Sequence, residues 1–589
     1  MQAGRGRGED RIGSKVHVRA ANPSSPAAGR CVEAGARASA PDRCSDRTPT
    51  PTLPLSGGGT QGRERVANPR HNHLGLVAQV NASVIPAVCA ALLLALVALA
   101  GGCATVLPPA PSPAIVAADD SLPARCARAF AALDEAVARA GVADAETARV
   151  GGFPYLRVNR LLASFRDEVG SDAAIREWIG YMQRLGREGW LVEIANLPPK
   201  DTEALLATLG EQGFGELPPT AFIEGCGNAL RDGPDATPAR REALRAAAMV
   251  PDDYDEWKRV VGAYPATRIP FAAGVRRWQD GTRAVFAQPL TALPVKGELK
   301  RYTVAGDTVG RERTRDVIAA ARAASALGLP DASALAPLFA TYAPVFEIDA
   351  ASDADRVGRP AHGANGPAVD VSRPAIFTRV AYTRYDGRVH PQLVYAVWFP
   401  ERPPSGPFDP LAGKLDAVIW RVTLDDSGEP LAFDTIHGCG CYHLWFPTPR
   451  ARPLPLRDSL DEQAFVPASL PRVRAGERVV LRIASGTHYV ENVRVVPDER
   501  SDALRLPPAD DGALRRLPLA AGGTRSLFGP DGIVPGTERG ERWFFWPMGV
   551  REPGAMRQWG RHATAFVGRQ HFDDADLFER YFAVEPPRP

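Results

Sequence analysis

Apolar residues recur at steps of three and four along the first part of the chain and at steps of two along the second, with the change near residue 345. The first pattern predicts helices. Leu122, Cys126, Phe130, Leu133 and Val137 fall on one helical face, and Leu156, Leu161, Leu162 and Phe165 follow the same rule. Ser171 ahead of Asp172 and Asp201 ahead of Thr202 read as N-caps, because their side-chain oxygens can accept the unpaired amides of a first turn. Gly186, Gly189 and Gly210 read as helix ends. A longer helix is predicted over about 309–327, stopped by Gly328-Leu-Pro330. Trp190-Leu-Val-Glu-Ile194 reads as a short strand.

The period of two builds three hairpins. Ala375–Tyr385 turns through Asp386-Gly387 into Arg388–Phe399, and Asp-Gly supplies the positive φ angles of a tight turn. Leu415–Leu424 pairs with Leu431–Ile436, and Arg478–Ile483 with His488–Val496. A short helix is expected near Asp574 to Phe582. The predicted class is α+β: a mainly helical domain over 119–345, then an antiparallel β-rich domain over 346–589, of sandwich or barrel-like form.

Ahead of these elements lies an uncharged run, Val84–Ala100, broken at Gly101-Gly102-Cys103 and followed by the Pro-rich Leu107–Pro113. It is just long enough for a membrane helix, yet it ends on small residues instead of basic ones, as an export signal does at its processing point. Leu99-Ala-Gly-Gly-Cys103 resembles the lipobox of bacterial lipoproteins, a likeness confined to about residues 66–103. The family's usual Leu, Val or Ile three places before the cysteine is Ala100 here, with Leu99 one place further out. The resemblance implies diacylglyceryl transfer to Cys103, cleavage before it, and anchoring in lipid. Ala104 in place of Asp implies sorting to the outer membrane, facing the periplasm. An uncleaved anchor or an ordinary signal is the competing reading.

Residues 1–65 are low in complexity, from Gly4-Arg-Gly-Arg-Gly8 to Ser56-Gly-Gly-Gly-Thr60, with no periodic apolar face to bury. A signal core beginning at residue 84 is far from the terminus, so the expected start is later, with Val66 as a GTG codon and 66–102 as the signal. Residues 103–118 read as a linker. The net charge of +2 gives no argument for a polyanionic partner, and nucleic acid is not expected.

Five cysteines remain from the lipobox onward: Cys103, Cys126, Cys226, Cys439 and Cys441. With Cys103 acylated, four are left in an oxidising compartment, where the favoured pairing is Cys126 with Cys226 and Cys439 with Cys441. Free thiols are the alternative.

The densest collection of soft donors is Ile436-His-Gly-Cys-Gly-Cys-Tyr-His-Leu444. In an extended strand His437, Cys439, Cys441 and His443 share one face. Side chains two apart would sit about 7 Å from one another and the histidines about 20 Å apart, whereas zinc ligands lie about 2.0 to 2.3 Å from the ion. A site for zinc or another divalent transition metal therefore needs a bend at Gly438 and Gly440. It would draw further ligands from His488, His562, His571, Glu347 or Asp349. The spacing matches no standard zinc motif.

Gly-x-Ser-x-Gly, a Walker loop and His-Glu-x-x-His are all missing from the mature sequence. Trp543-Phe-Phe-Trp546, with Trp559 near it, offers either core rings or a stacking surface for sugar or peptidoglycan. Two functions follow as expectations. One is an envelope lipoprotein that binds or scaffolds a protein or glycan partner, and the other is a metal-dependent hydrolase built on His437–His443.

Overall fold

The computed structural model describes residues 120–498 and 502–585, all within one compact unit, Cys103–Pro589. The lipobox with Cys103, the signal, the low-complexity start and the linker lie outside the described residues. Among the described residues no helix is long and apolar enough to cross a membrane. The architecture is α+β, with a helical region followed by a β-rich one.

The helical region opens with Leu122–Ala140, capped by Ser121, whose hydroxyl accepts the Ala124 amide. Its apolar stripe, with Cys126, Phe130, Leu133 and Val137 all buried, packs against Pro219–Asp232 and Pro199–Glu211. Cys126 and Cys226 are joined by a disulfide across 100 residues. Beside it the Phe130 ring meets Phe222 at 5.6 Å and Trp190 at 5.9 Å.

Ser171 caps Asp172–Ala195 as expected, accepting the Ala174 amide. Two local expectations are corrected on this helix. Trp190–Ile194 is not a strand but its last turns, because the Trp190 ring is drawn into the helical core. Gly186 and Gly189 do not end it. They let it lie against the Phe153–Val158 strand: a Cβ on Gly186 would meet the Tyr155 carbonyl oxygen at 2.1 Å, and one on Gly189 the Arg157 guanidinium at 2.5 Å. The next helix, Pro199–Glu211, begins after Pro198, which puts Asp201 in the first turn and Gly210 inside the last.

The β-rich region contains two main sheets. The larger runs in the order Leu444–Pro447, Pro430–His437, Gly413–Leu424, Arg388–Arg402, Ile376–Tyr385, Pro508–Asp510, antiparallel except for the last pair. All three expected hairpins are present, the first turning through Asp386 and Gly387, both with positive φ. The smaller sheet is mixed, in the order Val490–Pro497, Glu477–Ile483, Val345–Ala350, Glu298–Val304, Leu504–Leu506.

One core joins the two sheets, with Phe346, Ile348, Leu481 and Ile483 against Leu393, Tyr395, Trp420 and Val422. The other face of the larger sheet is covered as well, by Leu514, Phe528, Met556 and Phe572. Strands buried on both faces show nearly continuous burial instead of alternation, and Pro430–His437 is buried throughout. The smaller sheet crosses the boundary expected at 345, since Glu298–Val304 belongs to it.

Candidate functional site

The His437–His443 segment leaves the end of the Pro430–His437 strand and turns back at once. His437 donates its amide to the Cys441 carbonyl at 3.0 Å, and Gly440 donates to the His437 carbonyl at 2.8 Å. Gly440 has φ +90°, and a Cβ there would meet the Ala563 carbonyl oxygen at 2.4 Å. This bend breaks the shared face that an extended strand would give, and the two histidines enter different environments.

His443 lies on the side of the larger sheet that faces Phe572. Its Nε2 is 2.8 Å from Asp434 Oδ2, and Arg421 grips the same carboxylate through Nε at 2.9 Å and Nη2 at 2.6 Å. Gln570 reaches His443 Nδ1 at 3.2 Å. Burial pushes the imidazole below its ordinary value against the pull of Asp434, so it is neutral near pH 7.

His437 lies between the sheets, beside Asp416. The parity of the Gly413–Leu424 strand puts Asp416 on the face of Val418, Trp420 and Val422, toward the smaller sheet. The hairpin turn of that sheet brings His488, stacked flat on Phe399 at 4.0 Å. Asp416 is the hub. His488 Nδ1 is 3.0 Å from its Oδ2, His437 Nδ1 is 3.5 Å from its Oδ1, and Arg539 Nη2 is 3.4 Å from Oδ1. On the far side of His488, Nε2 is 3.5 Å from Asp355 Oδ1. Asp355 is fixed by the Gly486 amide at 2.6 Å and the Ser485 hydroxyl at 3.1 Å.

Burial works to raise the Asp416 carboxyl, but Arg539 and the imidazoles outweigh it and hold it well below the carboxylate range. Burial works to lower His488, yet the carboxylates of Asp355 and Asp416 prevail and raise it. His437 is lowered by burial despite Asp416, and neither of its ring nitrogens makes a hydrogen bond. The resulting row is Asp355, His488, Asp416, His437, in which the carboxylates favour the charged form of His488 and burial favours the neutral form of His437. It ties the two sheets together through buried polar and charged side chains.

The sequence reading missed Asp416, Asp355 and Arg539. Asp416 carried the usable signal: a carboxylate in a strand with apolar residues on both faces must find a cationic partner or forfeit its charge. His488 was considered only as a distant metal ligand. The other such candidates go elsewhere. Glu347 pairs with Arg301 and Arg494, Asp349 accepts the amides of Lys296 and Gly297, and His571 lies 3.4 Å from Asp253. His562 is buried and held near 3 by desolvation and Arg557.

The proposed metal set of His437, Cys439, Cys441 and His443 does not converge. Each histidine turns to its own aspartate, on opposite faces of the larger sheet. Among the described residues no group of three or more His, Cys, Asp and Glu side chains is arranged to hold a metal ion.

The expected Cys439–Cys441 bond is likewise not formed: both cysteines are free. The Cys441 amide donates to Cys439 Sγ at 3.4 Å, which brings the two thiols close enough to act on one another. That contact, helped by Arg539, lowers the Cys439 thiol against the effect of burial, and it raises that of Cys441.

The Trp543–Trp546 segment is not a core strand. It forms a short helix, Arg542–Phe545, continued by a tight turn, Trp546–Met548. Phe545 is inserted against Phe271 and Phe566, whereas Trp543 is 70% and Phe544 60% exposed. A cavity of 620 Å³ lies away from His437 and His443, between Arg160, Ser164, Arg384, Asp574 and Glu579. Its arginines are already paired, Arg160 with Asp573 and Arg384 with Glu168. No protein-family model, curated protein or solved structure matches the chain.

Proposed function

We propose that the chain is a lipid-anchored protein of the cell envelope, held through acylated Cys103 at the outer membrane and facing the periplasm, whose folded part binds peptidoglycan. The observation that carries binding is an exposed aromatic corner. Trp543 and Phe544 stand beside the Glu256–Val261 helix, where Trp257 is 63% exposed and Val260 and Val261 are exposed too. The two segments are locked together: Gly262 packs on Pro547, and Arg259 donates to the Met548 carbonyl at 2.9 Å. Exposed apolar side chains carried by joined segments mark interaction sites, and flat indole faces suit the C–H faces of sugar rings. The Cys126–Cys226 disulfide fits an oxidising compartment.

The test is sedimentation of the full chain with insoluble peptidoglycan, alongside membrane fractionation of cells. Trp543→Ala and Trp257→Ala each reduce the sedimented fraction, and Cys103→Ala moves the protein out of the membrane fraction. Sedimentation unchanged in both tryptophan variants overturns the binding site. Membrane retention of Cys103→Ala overturns the anchor.

A further inference from the structure

The thiols of Cys439 and Cys441 are set apart from the other described cysteines. Cys126 and Cys226 are bonded in the helical core, while this pair is open at the edge of the larger sheet. Only Gly440 separates the two residues, and its positive φ folds the chain so that the Cys441 amide reaches the Cys439 sulfur. Arg557 donates from Nε to the Cys439 carbonyl at 3.0 Å and holds the turn in place. Cys439 is buried and Cys441 is partly exposed. A disulfide arriving from solvent therefore meets Cys441 first, with a second sulfur already waiting behind it.

We propose that Cys439 and Cys441 form a thiol–disulfide exchange site whose substrate is a small disulfide, R–S–S–R. The Cys441 sulfur forms a bond to one substrate sulfur as its proton passes to the departing group, and the substrate S–S bond breaks to release the first R–SH. The Cys439 sulfur then attacks Cys441 and displaces the second R–S⁻. The two protons given up by the cysteines end on the two leaving thiols, and two electrons pass from the cysteine pair to the substrate. The products are a Cys439–Cys441 disulfide and two R–SH. The second step is intramolecular between groups already in contact, so it outruns attack by a further substrate molecule. Bridges that close small rings are strained, and strained bridges are the exchange-active ones. The site is thereby reversible, and Cys126–Cys226 is not drawn into it.

The experiment uses the purified full chain and glutathione disulfide as the probe, with thiols blocked by alkylation and each cysteine followed by peptide mass spectrometry. Protein with both thiols free converts to an internal Cys439–Cys441 bridge, and Cys126–Cys226 stays closed. In Cys439→Ser, a single glutathionyl adduct accumulates on Cys441. In Cys441→Ser, the adduct on buried Cys439 forms at least about tenfold more slowly, as reactivity follows access. Protein isolated already bridged opens under mild reductant without denaturant, again with Cys126–Cys226 intact. Retention of both thiols in the wild type, a separate glutathione on each, or a bridge that opens only on unfolding overturns the proposal. The wild-type measurement decides even where a serine variant does not fold.

Discussion

Burial raises the Glu541 carboxyl to about 7, although Arg539 and Arg402 pull it the other way. The side chain is almost fully withdrawn from water, close to Asp416 and the Cys439 turn. Between the ordinary value of 4.5 and about 7, the folded protein keeps a proton that the unfolded chain has lost. Folded stability therefore falls as pH rises through that window, and is unaffected by this group below it. Glu541→Gln removes the ionisation while keeping the shape. Relative to wild type it should gain about 3 kcal/mol between about pH 4 and about pH 8, from 1.36 kcal/mol per pKa unit. Urea unfolding at both pH values measures this, and a difference that stays constant with pH would reject it. Asp416 has the opposite sign: its depressed carboxyl stabilises the fold above the ordinary carboxylate range and loses that effect as pH falls.

The Leu122–Ala140 and Pro219–Asp232 helices show an element-scale constraint that was legible in the sequence, since export and a helical stripe through Cys126 already pointed to the Cys126–Cys226 bond. Closing 100 residues removes unfolded-chain entropy. In the chain-entropy model the double variant Cys126→Ser, Cys226→Ser should lose about 4 to 5 kcal/mol at most. Its far-ultraviolet circular dichroism should stay helical, because Phe130, Phe222 and Trp190 keep the stripe packed. Denaturant midpoints unchanged from wild type would contradict that.

The same helices mark where legibility ends. Periodicity and the Ser171 cap located Asp172–Ala195, but Gly186 and Gly189 looked like stop signals because the sequence does not show that another strand lies against them. The three hairpins were readable from alternation and from Asp386-Gly387. The site was half readable. His437, Cys439, Cys441 and His443 drew attention by their chemistry, yet their partners Asp416, Asp434, His488 and Arg539 come from other strands and loops, whose meeting only the fold decides.

At the scale of the whole molecule, the helical and β-rich regions are sewn together by contacts that no local pattern encodes. Arg515 reaches Asp144 at 2.5 Å, Arg160 reaches Asp573 at 3.1 Å, and Arg379 reaches Glu146 at 2.9 Å, the first and third pairing residues ahead of 150 with the β-rich region. The change of period near 345 would suggest cutting there. That cut falls at the first residue of the Val345–Ala350 strand. On one side this strand pairs in parallel with Glu477–Ile483, and on the other antiparallel with Glu298–Val304. A fragment of 346–589 lacks Glu298–Val304 and exposes an unpaired edge in what was the middle of a sheet. It also loses Ile318, Leu335, Leu338 and Phe339 from the core between the sheets. The complementary 119–345 fragment carries those apolar residues with nothing to cover them. Expressed apart, 346–589 should therefore lack the dispersed amide spectrum of a folded sheet, and 119–345 should aggregate or bind a hydrophobic dye. Co-expression should restore both, since the lost contacts lie between the fragments. A sharp, cooperative unfolding transition from isolated 346–589 would show instead that the β-rich region is a domain in its own right.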